Sequence, residues 1–341
     1  MASFYALGHG TVRPPQGVFP SALSRARKIT IAALGAFCLA LGLPAGGSAQ
    51  AGAGAGQEAP KKRVLTAEVQ DDMIIVRIDE ATFTCYRYGP GNKLPYFYPV
   101  NGPLSGLSLT TESSLPYPHH RSLWFGADRV NGGDYWQEGN DRGQIVSRGP
   151  RVVKGGPDAV RIRDVCDWKQ PGQAAIVLDT REIVITAPSD SLRIIDFAVT
   201  LEARTDVKFE RSNHSLFSAR VVPALAVTAG GTLVNAEGLS GEKATAGAAS
   251  PWMDYSGTRF GQIEGLAIFD APGNLWFPSK WFTRDYGFFS PTNMNWIDDN
   301  GVRLKGGEGL TFRYRVVVHA GNAGQAGIAD LFSRWKQERT K

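Results

Sequence analysis

Residues 310–318 read Leu-Thr-Phe-Arg-Tyr-Arg-Val-Val-Val, and this short stretch decides the fold class. Apolar side chains stand at every second position from Leu310 to Val318, and threonine or arginine fills the positions between them as far as Val316. Successive side chains of a β-strand point to opposite faces, so the pattern predicts a strand with one buried face.

The same period-two alternation recurs through the rest of the chain. It predicts further strands at residues 73–79, 82–88, 160–165, 176–186 and 192–203. These runs follow one another without intervening helices, which favours antiparallel sheets packed face to face. The sequence therefore predicts an all-β protein, an antiparallel β-sandwich.

One substantial helix is predicted, at the C-terminal end of the chain. Apolar residues repeat there with helical spacing at Ile328, Leu331, Phe332 and Trp335. We expect this C-terminal helix to cover residues 326–337 and to cap one end of a sheet.

The first 51 residues predict a secretory signal peptide. A basic patch at 25–28 precedes an apolar run over 29–43, and an Ala-Gln-Ala site ends at Ala51. That order is typical of export signals, and the apolar run is shorter than the roughly 20 residues that span a bilayer. A retained N-terminal anchor is the alternative. We predict a flexible Gly/Ala linker over 52–61 and a single domain over 62–341, exported to the periplasm or the exterior, with no membrane part once mature.

The charge of the chain gives no reason to expect a polyanionic partner. Four of the 37 Lys and Arg residues lie in the leader, which has no Asp or Glu, so removing them leaves 33 cationic residues against 32 acidic ones. A near-neutral body predicts no binding of nucleic acid or of an anionic membrane. Cys85 and Cys166 can pair after export or stay as buried thiols, and both readings are open. The oligomeric state is not determined.

Two long stretches, 89–147 and 227–300, read as irregular and rich in Gly, Pro and aromatic residues. Loops of that length in a compact domain are usually functional. The first holds His119, His120 and Arg121, a group suited to proton transfer near neutral pH and to binding an anionic or hydroxylated ligand. On a strand the two histidines would face opposite ways, so only one is expected to serve the site, and the sequence does not decide which.

Three steps in which an aspartate precedes an aromatic residue lie in or beside these stretches, at Asp134, Asp254 and Asp285. A carboxylate accepts hydrogen bonds from sugar hydroxyls while a neighbouring Trp or Tyr ring lies against the apolar sugar face. Two such carboxylates also serve glycosidic chemistry. A tight turn is the structural alternative for each step.

His214 follows another arginine and can bring a third histidine to the same place. A metal site made of His119 or His120 with His214 and an aspartate is conceivable, but the chain lacks the HxH or HxxxH spacing that would support it. We predict no metal and no cofactor. The chain also lacks a Walker loop, a GxSxG motif and a dinucleotide fingerprint after a strand.

Several motifs resemble those of the DUF6807 family, which is often labelled PmoA or methane-oxygenase-like. They are, in chain order, Pro-Tyr-Phe-Tyr-Pro-Val at 95–100, Pro-His-His-Arg-Ser-Leu-Trp-Phe-Gly at 118–126, Val-Asn-Gly-Gly-Asp-Tyr-Trp at 130–136, Trp-Met-Asp-Tyr-Ser-Gly at 252–257, Arg-Asp-Tyr-Gly at 284–287 and Arg-Tyr-Arg-Val-Val-Val-His at 313–319. The resemblance covers nearly the whole mature chain. It implies a galactose-mutarotase-like β-sandwich (a supersandwich) and a part in bacterial glycan breakdown.

Two positions depart from the family pattern. Where the family commonly has Trp-His before the Arg-Asp-Tyr-Gly step, this chain has Trp281 and Phe282, and residues 290–294 replace the usual Asn-Pro-Phe. A mechanism that needs that histidine does not carry over to this chain.

These observations predict a carbohydrate-active protein, a hydrolase, lyase or epimerase that uses acid–base chemistry on a sugar or glycan fragment. Catalytic roles fall to His119 or His120 with Asp134 and Asp285. Substrate-binding roles are assigned to Arg121, Trp124, Trp136, His214, Trp252, Asp254, Tyr255, Trp281, Arg284 and Tyr286. We expect residues 117–136 and 252–286 to face each other at one end of the sandwich. The alternatives are a noncatalytic glycan-binding β-sandwich, a metal-dependent oxygenase and a structural envelope domain.

Overall fold

The computed structural model of the chain describes residues 63–137 and 139–339. The predicted leader (1–51) and linker (52–61) lie outside the described residues. All described residues fall in one compact unit, Glu58–Lys341.

Strands dominate this part of the chain. In order they are β1 (Leu65–Gln70), β2 (Met73–Ile78), β3 (Ala81–Arg87), β4 (Tyr96–Val100), β5 (Leu123–Gly126), β6 (Gln144–Ser147), β7 (Arg151–Lys154), β8 (Val160–Lys169), β9 (Val177–Ser189), β10 (Leu192–Ala203), β11 (Val207–Phe209), β12 (Leu216–Arg220), β13 (Thr232–Asn235), β14 (Trp252–Arg259), β15 (Gln262–Asp270), β16 (Trp281–Arg284), β17 (Phe288–Pro291), β18 (Val302–Leu304) and β19 (Gly309–Ala320). The helices are α1 (Glu242–Thr245) and α2 (Ile328–Arg339), and 3-10 turns lie at Pro223–Leu225 and Val227–Ala229.

The strands form two large antiparallel sheets. One has eight strands in the order β1-β2-β3-β4-β5-β12-β17-β16. The other has nine, in the order β13-β14-β15-β19-β10-β9-β8-β6 with β7 paired to β8, and β11 with β18 forms a small separate sheet. The predicted antiparallel β-sandwich is confirmed.

Aromatic rings from both sheets meet in one core. Phe217 of the eight-stranded sheet stacks on Tyr314 of the nine-stranded sheet at 4.8 Å, and it also contacts Phe197 at 5.0 Å. Phe125 reaches across to Phe312 at 6.1 Å. Fully burying such a side chain contributes about 1.5–3 kcal/mol, so this layer holds the sheets together.

The stretch at 310–318 lies in β19, at the middle of the nine-stranded sheet. Its apolar alternation faces the core, as predicted, with Phe312, Tyr314 and Val316 all buried. On the other face Arg315 donates two hydrogen bonds to Asp196 of β10, at 2.7 and 2.8 Å. The alternation therefore correctly predicted which face of the strand is packed between the sheets.

The predicted C-terminal helix is observed as α2, which begins two residues later than expected. It covers a sheet face rather than a sheet end. Its apolar stripe packs on the outer face of the nine-stranded sheet, where Phe332 and Trp335 contact Phe269 at 5.4 and 5.8 Å.

The two stretches expected to be irregular contain strands. Residues 89–147 hold β4, β5 and β6, and residues 227–300 hold β13 to β17 with α1. The prediction failed there because several of these strands are buried on both faces; every residue of β5 and of β17 is buried. A strand covered on both sides shows no polar alternation, so its period is invisible in the sequence.

Two further outcomes concern cysteines and membranes. Cys85 and Cys166 are both buried and free, so the pairing that the sequence left open does not occur. Within the described part of the chain, no helix is long and apolar enough to cross a membrane.

Candidate functional site

The outer face of the eight-stranded sheet carries buried aromatic and charged side chains. Phe125 of β5 and Phe217 of β12 point into the core, so their strand neighbours Trp124 and Arg220 point outward. Phe288 of β17 lies on the same outer face, 6.0 Å from the Trp124 ring. Trp124 is only 1% exposed and Arg220 only 5%, because loops cover this face.

His119 and His120 lie in the connection between β4 and β5, which folds back over this face. The amide of His120 donates to the Tyr117 carbonyl at 3.1 Å and closes a turn. The buried imidazole of His120 then packs against Tyr117 at 5.1 Å, Trp124 at 5.7 Å and Phe288 at 4.8 Å. His119 crosses it edge-on at 4.7 Å.

His214 brings a third imidazole to the same face, just before β12. Its ring lies flat on Trp136, at 5.0 Å and an angle of 10°, and 6.1 Å from the ring of His119. Its Nδ1 is 3.7 Å from Oδ2 of Asp128. Leu216, two residues on, has a φ of 75°. A leucine in that left-handed region is strained, and such strain gathers at functional sites.

The hairpin between β16 and β17 supplies the last ring. Gly287, at a φ of 109°, donates its amide to the Arg284 carbonyl at 2.9 Å and closes the turn. Tyr286 at the tip stacks on Tyr117 at 5.0 Å. The guanidinium of Arg220 lies 4.2 Å from the centre of the Tyr286 ring.

We call this group the outer-face cluster. Its members are Tyr117, His119, His120, Trp124, Asp128, Trp136, His214, Arg220, Tyr286 and Phe288. Of the residues predicted for the site, it brings together His119, His120, Trp124, Trp136, His214 and Tyr286. Of the two segments expected to face each other, 252–286 reaches 117–136 through the hairpin tip at Tyr286, while its strands β14 and β15 lie in the other sheet.

The two aspartates expected to be catalytic accept hydrogen bonds from backbone amides. Asp134 lies beside the cluster, and its Oδ1 accepts from the amides of Trp136 and Gln137, each at 3.0 Å. Asp285 turns away from the cluster toward α1, and its Oδ1 accepts from the Glu242 amide at 2.7 Å. In return Oε2 of Glu242 accepts from the Asp285 amide at 3.0 Å. Each carboxylate therefore fastens a turn.

Arg121 and Arg284 also contact protein groups at the edges of this face. Arg121 donates to Oγ of Ser113 at 2.7 Å, and its guanidinium lies 5.8 Å from the centre of the Tyr96 ring. Arg284 donates to Oε1 of Glu242 at 3.2 Å. Arg284 is therefore tied to the same helix that Asp285 holds.

Four predicted residues lie away from the cluster. Asp254 is on the other sheet, where its Oδ2 is 2.6 Å from Nε2 of His319, and both side chains are fully buried. Burial alone would lower the pKa of His319, but the Asp254 carboxylate raises it. Trp252 packs with α2, while Tyr255 and Trp281 lie in the core between the sheets. These residues lie on strands or strand faces that point away from the cluster. The short motif around 252–257 does not reveal which face that is.

Burial holds the two inner histidines of the cluster in their neutral forms. Desolvation, with smaller effects from His119 and Arg220, lowers the pKa of His120 to about 2. Desolvation also lowers the pKa of His214 to about 4. A neutral imidazole has one nitrogen that donates and one that accepts, so each ring can bind a hydroxyl group in either sense.

Asp128 and Arg220 were not singled out from the sequence. Burial, and after it the Asp134 carboxylate, raise the pKa of Asp128 to about 6. Desolvation lowers the pKa of Arg220. Arg220 did carry a signal, since it stands in an otherwise uncharged run at 216–222, too apolar for a solvated strand face. Asp128 follows Gly126-Ala127 with no pattern around it, and only its neighbours in space distinguish it.

Six polar atoms of the cluster are buried without a hydrogen-bond partner among the described residues. They are Nδ1 of His120 and His214, Nε1 of Trp124 and Trp136, and Nε and Nη1 of Arg220. Buried polar groups almost always find partners, so six unpaired atoms on one face of a sheet are unusual.

Within residues 63–137 and 139–339, no group of three or more His, Cys, Asp or Glu side chains is arranged to hold a metal ion.

Comparisons with known proteins give a family and a distant fold neighbour. The DUF6807 family model, described as a family of unknown function, matches residues 74–333, which confirms the resemblance seen in the motifs. No curated protein matches the chain. The crystal structure of a candidate aldose 1-epimerase from Escherichia coli K12 is similar at 12% identity and a TM-score of 0.32, over 76% of this chain and 99% of that one.

Proposed function

We propose that this chain, which belongs to the DUF6807 family, binds a sugar or glycan fragment on the outer face of its eight-stranded sheet and acts on it by acid–base chemistry. The observation that carries the proposal is the set of six orphaned polar atoms among stacked aromatic rings. The hydroxyl groups of a sugar can hydrogen-bond to these polar atoms, and the apolar face of its ring can stack on the aromatic side chains.

The free-energy cost of the unpaired polar atoms favours a bound ligand over a purely structural role. Each buried polar group without a partner costs about 1–3 kcal/mol. A structural cluster could replace Trp124 or His120 by phenylalanine and avoid that cost. Retaining the polar atoms on a buried face makes sense if a bound molecule completes their hydrogen bonds.

The acid–base part rests on Asp128 and the neighbouring histidines. A group with a pKa near the working pH is an efficient proton carrier, and the pKa of Asp128 is raised to about 6. His214 lies 3.7 Å from it and can relay or share a proton. His120 offers a second, neutral imidazole on the same face.

Among the three reaction types expected for the site, a lyase or an epimerase is favoured over a glycoside hydrolase. Hydrolases of the common kind need two carboxylates facing the scissile bond. Asp285 is engaged with Glu242, and Asp134 with two backbone amides, which leaves Asp128 and the imidazoles as the proton-transfer groups.

The test combines binding with turnover. Wild-type protein is incubated with a panel of mono- and oligosaccharides, and proton NMR follows both ligand binding and the appearance of new sugar signals. We expect His120→Ala and Asp128→Asn to lower turnover by about 10²–10⁴-fold while the protein still binds sugar. Asp299→Asn, which removes a carboxylate that is 95% exposed, is the matched control. Full turnover in both site variants, with wild-type melting, would refute the proposed chemistry. Binding without any turnover by the wild type would instead support a noncatalytic glycan-binding role.

A further inference from the structure

Arg220 is a buried cation without a buried anion. Its side chain is 5% exposed, yet Nε and Nη1 have no hydrogen-bond partner among the described residues. No carboxylate of the described residues forms an ion pair with it; the electrostatic interactions that favour its charge come from the phenols of Tyr286, Tyr255 and Tyr117 and from no carboxylate. The Tyr286 ring and its hydroxyl group offset only part of the lost hydration.

A second buried arginine shows how this fold treats a structural guanidinium. Arg181, 1% exposed, donates from Nε and Nη2 to the two oxygens of Asp179 at 3.0 and 2.9 Å, and from Nη1 to the Pro95 carbonyl at 3.2 Å. Every nitrogen of Arg181 is used and its charge is neutralised. Arg220 is less deeply buried than Arg181, at 5% exposed, but it lacks that compensation, and an uncompensated buried charge is strongly destabilising.

We propose that Arg220 binds the carboxylate of an acidic sugar, so that the ligand of the outer-face cluster is a uronic acid or a glycan that contains one. This inference rests on the proposed function and narrows its substrate class. A carboxylate supplies the anion that Arg220 lacks and accepts from Nε and Nη1, while the hydroxyl groups of the sugar reach His120 and the indole N–H of Trp124.

The charge of the site favours a carboxylate over a phosphate. Arg220 is the one permanent cation of the outer-face cluster, because His120 and His214 are held neutral by burial. One guanidinium balances one carboxylate. A phosphate dianion would need a second cation.

The placement also suits the lyase or epimerase chemistry favoured above. A carboxylate acidifies the neighbouring C–H bond. When a base takes that proton, the electron pair of the bond moves onto the carboxylate as an enolate, whose added charge Arg220 stabilises. Return of the proton to the other face gives the epimer. In elimination the enolate electron pair forms a new C=C bond, and the group on the next carbon leaves with its bonding electrons and takes up a proton, which gives the unsaturated product.

The test compares matched acidic and neutral sugars. Dissociation constants are measured by NMR for glucuronate against glucose and galacturonate against galactose, with the corresponding oligosaccharides, and for glucose 6-phosphate and acetate. We expect each uronate to bind about 10-fold or more tightly than its neutral counterpart. Arg220→Gln should abolish the preference and Arg220→Lys should keep part of it. The control, Arg163→Gln, removes an exposed arginine from the other sheet and should change nothing.

The outcomes separate this inference from the proposed function. Equal binding of acidic and neutral sugars by the wild type overturns the inference and leaves the proposed function standing, and this comparison needs no variant to fold. Tighter binding of glucose 6-phosphate than of glucuronate overturns the carboxylate in favour of a phosphate. If acetate binds and none of the sugars does, Arg220 binds anions but the sugar part of the inference is refuted. If no probe binds, both are overturned.

Melting of the ligand-free protein is an independent check. Removing an unpaired buried cation should leave the melting temperature of Arg220→Gln unchanged or raise it. Arg181→Gln leaves the buried carboxylate of Asp179 without its ion-pair partner, so it should lower the melting temperature. A large loss of stability in Arg220→Gln would show that the guanidinium is structural and would overturn the inference.

Discussion

At the scale of single residues, the outer-face cluster favours the neutral forms of its ionisable groups. His120, His214 and Asp128 are all buried or nearly so, and burial moves the pKa of each toward its uncharged state. These shifts couple the stability of the protein to pH, and the sign differs between the acid and the bases.

Asp128→Asn is expected to stabilise the protein increasingly as the pH rises. The pKa of Asp128 is raised from 3.8 to about 6, so the contribution of this group to stability is fully present below the unfolded value and lost as the pH rises through about 6. Asparagine does not ionise, so the free energy of unfolding of Asp128→Asn should exceed that of the wild type by at most about 3 kcal/mol above pH 7. Urea unfolding of both proteins across this range measures it, with Asp299→Asn as the exposed control. Parallel pH profiles for Asp128→Asn and wild type would contradict the buried-carboxylate account.

His120→Phe is expected to reduce the loss of stability in acid. The pKa of His120 is lowered from 6.5 to about 2, so its contribution is present above the unfolded value and lost as the pH falls from there toward 2. Between about pH 6.5 and 4.5 the wild type should lose about 2–3 kcal/mol through this residue. His214→Phe should act in the same direction with a smaller total effect, because its pKa is about 4. An unchanged acid dependence in both variants would show that these rings are hydrated.

At the scale of elements, the β16–β17 hairpin joins the site to the rest of the sheet. Its tip sends Tyr286 to the outer-face cluster and Asp285 to α1. Neighbouring residues in one turn therefore have different roles, which the shared Arg-Asp-Tyr-Gly motif does not reveal.

Asp285→Ala and Glu242→Ala are expected to lower stability by similar amounts. The two residues exchange backbone hydrogen bonds, at 2.7 and 3.0 Å, and each such bond contributes about 0.5–1.5 kcal/mol. The double variant should cost clearly less than the sum, because each single change already loosens the same junction. Chemical unfolding of the four proteins measures the coupling. Strict additivity, or a loss of turnover without a loss of stability in Asp285→Ala, would restore a catalytic role for Asp285.

At the scale of the whole molecule, the aromatic layer between the sheets is expected to control stability. Phe217 is fully buried and contacts rings of the opposite sheet, so Phe217→Ala should cost about 3–5 kcal/mol. Phe260→Ala, at a position 80% exposed, should stay within about 0.5 kcal/mol of wild type. Urea unfolding followed by both fluorescence and circular dichroism measures the change. Equal stability of the two variants would mean that the sheets are held together in another way.

Export is the second expectation at this scale, and we propose it from the leader alone. The processed chain should begin between Ala49 and Gly52, as the Gly-Ser-Ala-Gln-Ala run at 47–51 indicates. Mass spectrometry of protein from the exported fraction of the native host identifies the first residue. Recovery of intact Met1 from that fraction would rule out cleavage.

What the sequence determined by itself was local. Alternation at 310–318 is a property of neighbouring residues, and it correctly indicated a strand, its buried face and, with its repeats, the antiparallel sandwich. Helical spacing likewise indicated α2, and the motifs indicated the family. The outer-face cluster depended on tertiary structure, because pairing of β12 with β5 brings Arg220 beside the histidine loop from a hundred residues away. Whether a side chain on a doubly buried strand faces the site or the core leaves no period in the sequence, which is why Asp254 was predicted for the site while Arg220 was not. Asp128 lies in a bend after β5, and only its neighbours in space distinguish it.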